Sequence, residues 1–338
     1  GKDLPPLLQG TPDEAFPTRG IHYRKGEKLP PLVYYESSRG CPFSCAFCLS
    51  SATMGVRAKT AEKTLEDLAE FEAFPGAFTV KLVDRTFNFD RERAKKIWRG
   101  LLDSRFTKCY HFEVCAALLD EESFALLSRF PAGKVRLEIG LQSIHRETLA
   151  AVSRHTDATE VLAASRRLCE SGKVHVHLDL IAGLPHESFA AFGESFDAAY
   201  SACNVLQLGF LKLLHGTTLR DKATDFGIVY SEKPPYTVLK PADISFEELA
   251  LLHRVDELTE RLRDSGKFES SLDYLLSHLD SPFAFYCGFA GFLRGKDGRE
   301  LQKIPQRDLF SLLAEYGKTV LAGAELPGVL RSLQTDFA

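Results

Sequence analysis

The stretch that most constrains this chain is Arg39-Gly40-Cys41-Pro42-Phe43-Ser44-Cys45-Ala46-Phe47-Cys48-Leu49-Ser50, three cysteines in a C-x3-C-x2-C arrangement after an apolar run. Cysteine thiolates hold iron-sulfur cubanes, normally four to a cluster, so three ligands leave one iron open to another molecule. A structural zinc knuckle is the plainer reading of clustered cysteines. Such a knuckle closes with a second ligand pair, C-x2-C or H-x3-5-H, and none follows Cys48.

The chain has 338 residues, 44% hydrophobic and 26% charged, enough for one large domain plus an extension. A formal net charge of -4 gives no basic field of the kind that drives phosphate-backbone binding, so nothing points to nucleic acid. Eight cysteines, three in one loop and five scattered, do not form a secreted disulfide framework. No apolar run reaches the ~18 residues of a membrane span, and no signal peptide opens the chain. A reducing cytoplasm is the expected compartment. Cys109, Cys115, Cys169, Cys203 and Cys287 show no second cluster spacing and read as small buried residues.

Residues 1–31 carry six prolines and few apolar clusters, and read as a linker after a removed N-terminal domain; Ile21-His22-Tyr23-Arg24 and Leu29 suggest a short hairpin within it. From Leu32 short apolar strands alternate with amphipathic helices, the pattern of repeated β-α units on a parallel sheet. Six strands are predicted: Val33–Ser37, Phe78–Val83, Tyr110–Ala116, Lys134–Gly140, Val174–Ile181 and Val205–Leu213. Helices are predicted over Thr60–Phe74, Asp90–Ser104 with Asp90 as N-cap, Glu121–Phe130, Asp157–Ser171 and Ser188–Ala202. The fold class is α/β, a partial (β/α)6 TIM-like barrel over 32–230. A helical extension over 231–338 follows, entered through a proline-rich loop at Ser231–Pro241. Thr217–Gly227, Ser245–Ser265, Glu269–Leu279 and Arg307–Gly323 read as helices.

Strands covered on both faces read as continuous aliphatic runs, yet several here carry polar groups at every second position. His111, Glu113 and Cys115 share one face, as do Arg136, Glu138, Gly140 and Gln142, and His175, His177 and Asp179. Unpaired buried carboxylates cost several kcal/mol, which argues for a polar cavity; a buried network, His177 with Glu138 for instance, is the structural alternative. Asp84, Gln142, Ser143, Asp179 and His215 gather with the cysteine loop at the strands' C-terminal ends, where barrel enzymes place their chemistry.

Together these features resemble the radical S-adenosylmethionine (SAM) superfamily, over roughly Val33 to Gly227. In that family a C-x3-C-x-aromatic-C loop binds a 4Fe-4S cluster whose fourth iron is chelated by SAM. Cys41, Cys45 and Cys48 match, with Phe47 in the aromatic slot beside adenine. Further matches resemble the branch with oxygen-independent coproporphyrinogen dehydrogenase: Glu113, Gly140-Leu141-Gln142-Ser143, Arg154, and Asp179-Leu180-Ile181-Ala182-Gly183-Leu184-Pro185. The resemblance implies that Gln142 and Asp179 bond the ribose hydroxyls, that Arg154 and Glu113 engage the methionine carboxylate and amine, and that Ile181 packs near adenine. Where the family has a glycine-rich segment after strand two, this chain reads Lys81-Leu82-Val83-Asp84-Arg85-Thr86, so Asp84 or the backbone nearby is the expected substitute.

The implied activity is reductive SAM cleavage to a 5'-deoxyadenosyl radical acting on an unidentified substrate, fed by a flavodoxin- or ferredoxin-like one-electron donor. Lys81–Asn88, Gly216-Thr217 and Pro234-Pro235-Tyr236 resemble the subgroup whose members carry an upstream cobalamin domain, making a cobalamin-dependent methyltransferase the first alternative. The cobalamin motif Asp-x-His-x-x-Gly is absent, so cobalamin would need an N-terminal domain this chain does not contain. A porphyrin or methylthiotransfer reaction and a non-catalytic iron-sulfur or zinc module are the other readings. His215 is the one candidate acid, base or metal-proximal group.

Overall fold

The computed structural model describes residues 29–52, 55–74, 76–297 and 301–337. The expected linker and hairpin lie, up to Lys28, outside the described residues. The described chain forms two compact units: residues 29–42, 55–137 and 172–174 in one, and residues 43–52, 138–171 and 175–337 in the other.

In the first unit, β1 (Leu32–Tyr35) buries Val33 and Tyr35 and exposes Leu32 and Tyr34. Helix α1 (Ala61–Glu72) anchors it from the buried side: the Tyr35 hydroxyl donates to Asp67 Oδ2 at 2.8 Å, and its ring meets Phe71 edge-on at 5.8 Å. The short strands β2 (Ser38–Arg39) and β3 (Arg57–Ala58) pair antiparallel and clip together the two ends of the cysteine loop. Helix α1 (Ala61–Glu72) starts at Thr60, whose hydroxyl accepts from Lys63 N. Strand β4 (Thr79–Leu82) pairs parallel with β1 and with β5 (Cys109–Val114). Asp90 caps α2 (Arg91–Asp103) as predicted, accepting from Arg93 N at 3.0 Å. The helix buries Trp98 against Phe87 and Phe112, with ring centroids 5.8 and 6.3 Å away. Helix α3 (Glu121–Leu127), capped by Asp120, follows.

The second unit holds β6 (Val135–Gln142) from Glu138 on, β7 (Val174–Ala182) from His175 on and β8 (Val205–Phe210), with α4 (Arg146–Ala151), α5 (Ala158–Glu170) and α6 (Phe189–Tyr200) between them. The long strands follow the order β1-β4-β5-β6-β7-β8, so sheet order equals chain order, as repeated β-α units require. On β7 the alternation is strict: Val174, Val176, Leu178, Leu180 and Ala182 are buried, while His175, His177, Asp179 and Ile181 are only half-buried. The polar face is therefore the more open one. Register places Asp179 beside Gln207 and Ile181 beside Gly209.

Beyond β8 come α7 (Thr218–Asp221), the antiparallel pair β9 (Val229–Tyr230) and β10 (Val238–Lys240), and helices α8 (Phe246–Thr259), α9 (Glu269–Leu276), α10 (Pro282–Asp297), α11 (Gln306–Val320) and α12 (Leu326–Phe337). The helix predicted over Thr217–Gly227 shrinks to α7. Residues 222–228 turn instead, with Ile228 N bonded to Ala223 O at 2.9 Å, which sets Leu219, Ala223 and Ile228 in one apolar cluster. The loop at Ser231–Pro241 holds β10, and its chain returns to the end of β8: Leu213 N donates to Tyr236 O and Val238 N to Leu211 O. Helices α4, α10 and α12 are additions to the predicted set. No helix among the described residues is long and apolar enough to cross a membrane.

Candidate functional site

The cysteine loop is held from both ends by ordinary backbone chemistry. In the first unit Gly40 has φ +101°, and a Cβ there would collide with the carbonyl of Gly55, so only glycine allows the loop to close on itself. Before it, Asp84 is fully buried at the end of β4. Its Oδ1 accepts from Ser37 N at 2.7 Å and Ser38 N at 2.9 Å, and Oδ2 accepts from Ser37 Oγ. Burial pushes this carboxyl above its ordinary value, and the serine donors pull it back. Arg93 Nη2 reaches the same Ser37 hydroxyl at 2.8 Å. Of the two expected contacts for the cofactor amine, Asp84 or the backbone nearby, the Asp84 carboxylate is engaged elsewhere: both its oxygens are taken by the chain that enters the loop. Cys41 Sγ lies 3.5 Å from Thr86 Oγ1. Glu113 is half-buried on β5, between fully buried Phe112 and buried Val114.

In the second unit the peptide of Ala46 is the fixed point. Its N–H donates to Val152 O and its carbonyl accepts from Leu219 N, both at 2.9 Å. Cys45 is buried and Cys48 half-buried, with Cys48 N bonded to Cys45 O at 3.1 Å. Phe47 and Ile181 both pack on the apolar cluster that contains Ala46, Val152 and Leu184, which gathers the two residues expected near adenine.

Arg154 is aimed by the end of α4. Ser153 adopts φ +55°, Arg154 N bonds Leu149 O and Ser153 N bonds Ala150 O, the paired pattern of a left-handed helix stop. The guanidinium then donates from Nη2 to Gly140 O at 2.7 Å, from Nη1 to Cys45 Sγ at 3.7 Å and from Nε to Thr156 Oγ1 at 3.3 Å. Gln142 ends β6 with φ +71° and is 8% exposed; its Oε1 is buried and has no partner among the described residues. A Cβ on Gly140 would collide with Gln142 Nε2 and come within 3.4 Å of Arg154 Nη2. Cys45, Gly140, Gln142 and Arg154 thus form one set.

Other expectations part from the structure. Ser143 does not point toward that set: it is fully buried, and Oγ donates to Glu187 Oε1 at 2.6 Å. The turn of chain after Gln142 sends its side chain to Glu187 instead. His215 is exposed, edge-on to Tyr236 at 4.9 Å, beside Arg220, which lies over both Tyr230 and Tyr236. Asp179 stays on the open face of β7. Sequence reasoning passes over Glu187, Arg93 and Asn88. Asn88 donates to Cys115 O and accepts from Cys115 N, both at 2.9 Å, standing in for a strand neighbour. Among the described residues no three His, Cys, Asp or Glu side chains converge on a single metal ion.

Residues 35–199 match the Radical SAM superfamily, and residues 224–337 match the DUF4080 family, described as of unknown function. Residues 35–199 are thus a radical SAM domain. A domain of this kind works with a 4Fe-4S cluster, SAM and an external reductant. Similar curated proteins include the cobalamin-dependent radical SAM methyltransferase TokK of Streptomyces tokunonensis, 26% identical over 226 residues, 61% of this chain and 31% of that one. The hopanoid C-3 methylase of Methylococcus capsulatus is 28% identical over 157 residues, 44% of this chain and 29% of that one. The chain therefore spans less than a third of the length of these two relatives. Among solved structures, the radical SAM methyltransferase TsrM from Kitasatospora setae, with cobalamin and a 4Fe-4S cluster bound, aligns with TM-score 0.57 at 13% identity, covering 85% of this chain and 61% of that one. The shared fold is the partial (β/α)6 barrel with helices added at the C-terminus.

The residues present fit the family's cofactors. All three loop cysteines are free thiols, the Arg154 cation is turned to one of them, and the Gln142 side chain, whose amide oxygen has no partner among the described residues, lies against the same Gly140 that Arg154 contacts.

Proposed function

We propose that this chain is the catalytic core of a radical SAM enzyme in which Cys41, Cys45 and Cys48 hold the cluster and leave one iron for SAM. The observation that carries this reading is the Arg154 guanidinium placed between Cys45 Sγ and Gly140 O, with the Gln142 amide on the same glycine. Cluster and SAM together supply a one-electron reductive cleavage of a carbon-sulfur bond. The protein's share is orientation. Arg154 binds the methionine carboxylate, a charge-assisted contact suited to guanidinium. Gln142 and Asp179 take the ribose hydroxyls, Glu113 the amine, and Phe47 and Ile181 the adenine. The electron comes from a flavodoxin- or ferredoxin-like protein.

A second reading, radical methylation with cobalamin supplied by an upstream domain, is favoured by the likeness to TokK and the hopanoid methylase. The two are separated by corrinoid absorption in the full-length protein and by S-adenosylhomocysteine formed alongside a methylated product. For the shared core the test is electron paramagnetic resonance of the anaerobically reconstituted, reduced protein. A 4Fe-4S signal that shifts on adding SAM is expected; an intact signal that SAM leaves unchanged argues against it.

A further inference from the structure

Glu187 lies three residues after Leu184 and is fully buried, yet no role toward a cofactor falls to it above. Its Oε1 accepts two hydroxyls, Ser143 Oγ at 2.6 Å and Ser195 Oγ at 3.1 Å. Those serines in turn accept backbone donors from the turn after β6: His145 N to Ser143 Oγ at 3.1 Å and Ile144 N to Ser195 Oγ at 3.2 Å. Two consecutive peptides beyond Gln142 therefore hang from one carboxyl oxygen. The other oxygen, Oε2, is buried without a donor among the described residues. That asymmetry suits a neutral acid, because an ionised carboxylate would leave half its charge unsolvated.

We propose that Glu187 is a positioning residue for the nucleoside end of the SAM site: in its neutral form it fixes the 142–145 turn, and through that turn the left-handed backbone that presents Gln142. The inference rests on the reading of Gln142 as a ribose contact. Ionisation would place a charge where only Oε1 has donors, drawing solvent toward Oε2 and loosening the two serines. Burial pushes the Glu187 carboxyl up to about 7, with Ser143, Ser195 and nearby His145 acting against the rise. The ionisable groups around it are His145 at the start of α4, Glu194 on α6, 3.6 Å from the His145 ring, and His186, whose N–H is held by Asp243. None is paired with the Glu187 carboxyl by a salt bridge among the described residues.

The experiment uses cluster-loaded protein under anaerobic conditions, with SAM affinity measured from pH 6 to 8.5 for wild type, Glu187→Gln and Glu187→Ala. Carboxylic-acid infrared difference spectra are recorded across the same range without SAM. Wild-type affinity is expected to fall several-fold as pH rises through about 7, in step with loss of one buried carboxylic band. Glu187→Gln, which keeps an amide oxygen for both serines, should hold the low-pH affinity throughout and lack the band. Glu187→Ala should bind SAM about tenfold more weakly at every pH. Wild-type affinity that does not change with pH, or Glu187→Gln as weak as Glu187→Ala, overturns the proposal. Absence of SAM binding by cluster-loaded wild type at every pH instead overturns the reading of the site itself, so the two failures are distinct.

Discussion

Arg154 and Cys45 are joined by a 3.7 Å contact from Nη1 to Sγ, although 109 positions separate them in the chain. The contact depends on three local devices: the left-handed helix stop at Ser153, the Ala46 peptide fixed between Val152 and Leu219, and a glycine at position 140. Each can be broken separately.

Removing the cation is the most direct. Arg154→Ala should leave the cluster intact, because no thiolate is lost, while weakening SAM binding by about 10- to 100-fold, the range of a charge-assisted hydrogen-bond pair. Arg154→Lys should recover only part of this, since lysine lacks the planar fork that reaches Gly140 O and Cys45 together. Iron content and SAM affinity, measured on the same preparations, decide it.

Gly140→Ala tests the close approach without removing a charged group. The added methyl must displace the Gln142 carboxamide and crowd Arg154, so SAM affinity should fall about tenfold, while thermal stability drops by no more than the 1–3 kcal/mol typical of overpacking. Calorimetry beside the binding titration separates the two effects.

Asp84 supports the entry to the cysteine loop. Asp84→Ala leaves Ser37 N, Ser38 N and the Ser37 hydroxyl without their acceptor, and leaves buried Arg93 without the neighbouring anion. Stability should fall by about 2–4 kcal/mol, and cluster content after reconstitution should fall with it. Asp84→Asn, which keeps one acceptor, should be milder on both counts.

Stability against pH carries a further signature. Glu187 titrates at about 7 in the folded chain against an ordinary 4.5. Asp256 and Asp264 are each raised to about 6 from 3.8, chiefly by burial. A carboxyl raised on folding leaves the folded state holding more protons than the unfolded one, so its contribution is full below the unfolded value and declines as pH rises through the folded value. Between pH 4.5 and 7 Glu187 alone should withdraw at most about 3 kcal/mol. Asp67, Glu72 and Asp120, lowered by their donors, act oppositely and lose their contribution as pH falls below about 4. Urea denaturation of Glu187→Gln should show the decline from pH 4.5 to 7 flattened relative to wild type.

Six strands, the Asp90 cap and the loop were legible because each rests on local pattern: aliphatic alternation, a carboxylate before a helix, cysteines at fixed spacing. Helix α10 was not, because Gly288, Gly291 and Gly295 lower its intrinsic helicity. Gly288 is there for packing, since a Cβ would collide with the Tyr316 hydroxyl of α11, and that requirement lies in a distant segment. The surroundings of Asp84 and Ser143 are not legible in the sequence for a related reason. Position at a strand end is visible in sequence, but whether the side chain turns into the cavity or toward Ser37 or Glu187 depends on contacts 47 and 44 positions away.

The central claim, that three cysteines and the Arg154 set prepare SAM for reductive cleavage, is tested most directly by product analysis. Anaerobically reconstituted protein is incubated with dithionite and SAM, and nucleoside products are separated chromatographically beside a Cys45→Ala control. The account predicts 5'-deoxyadenosine, or S-adenosylhomocysteine if methyl transfer dominates, from wild type and neither from the control. Neither product from wild type carrying an intact 4Fe-4S cluster would contradict it.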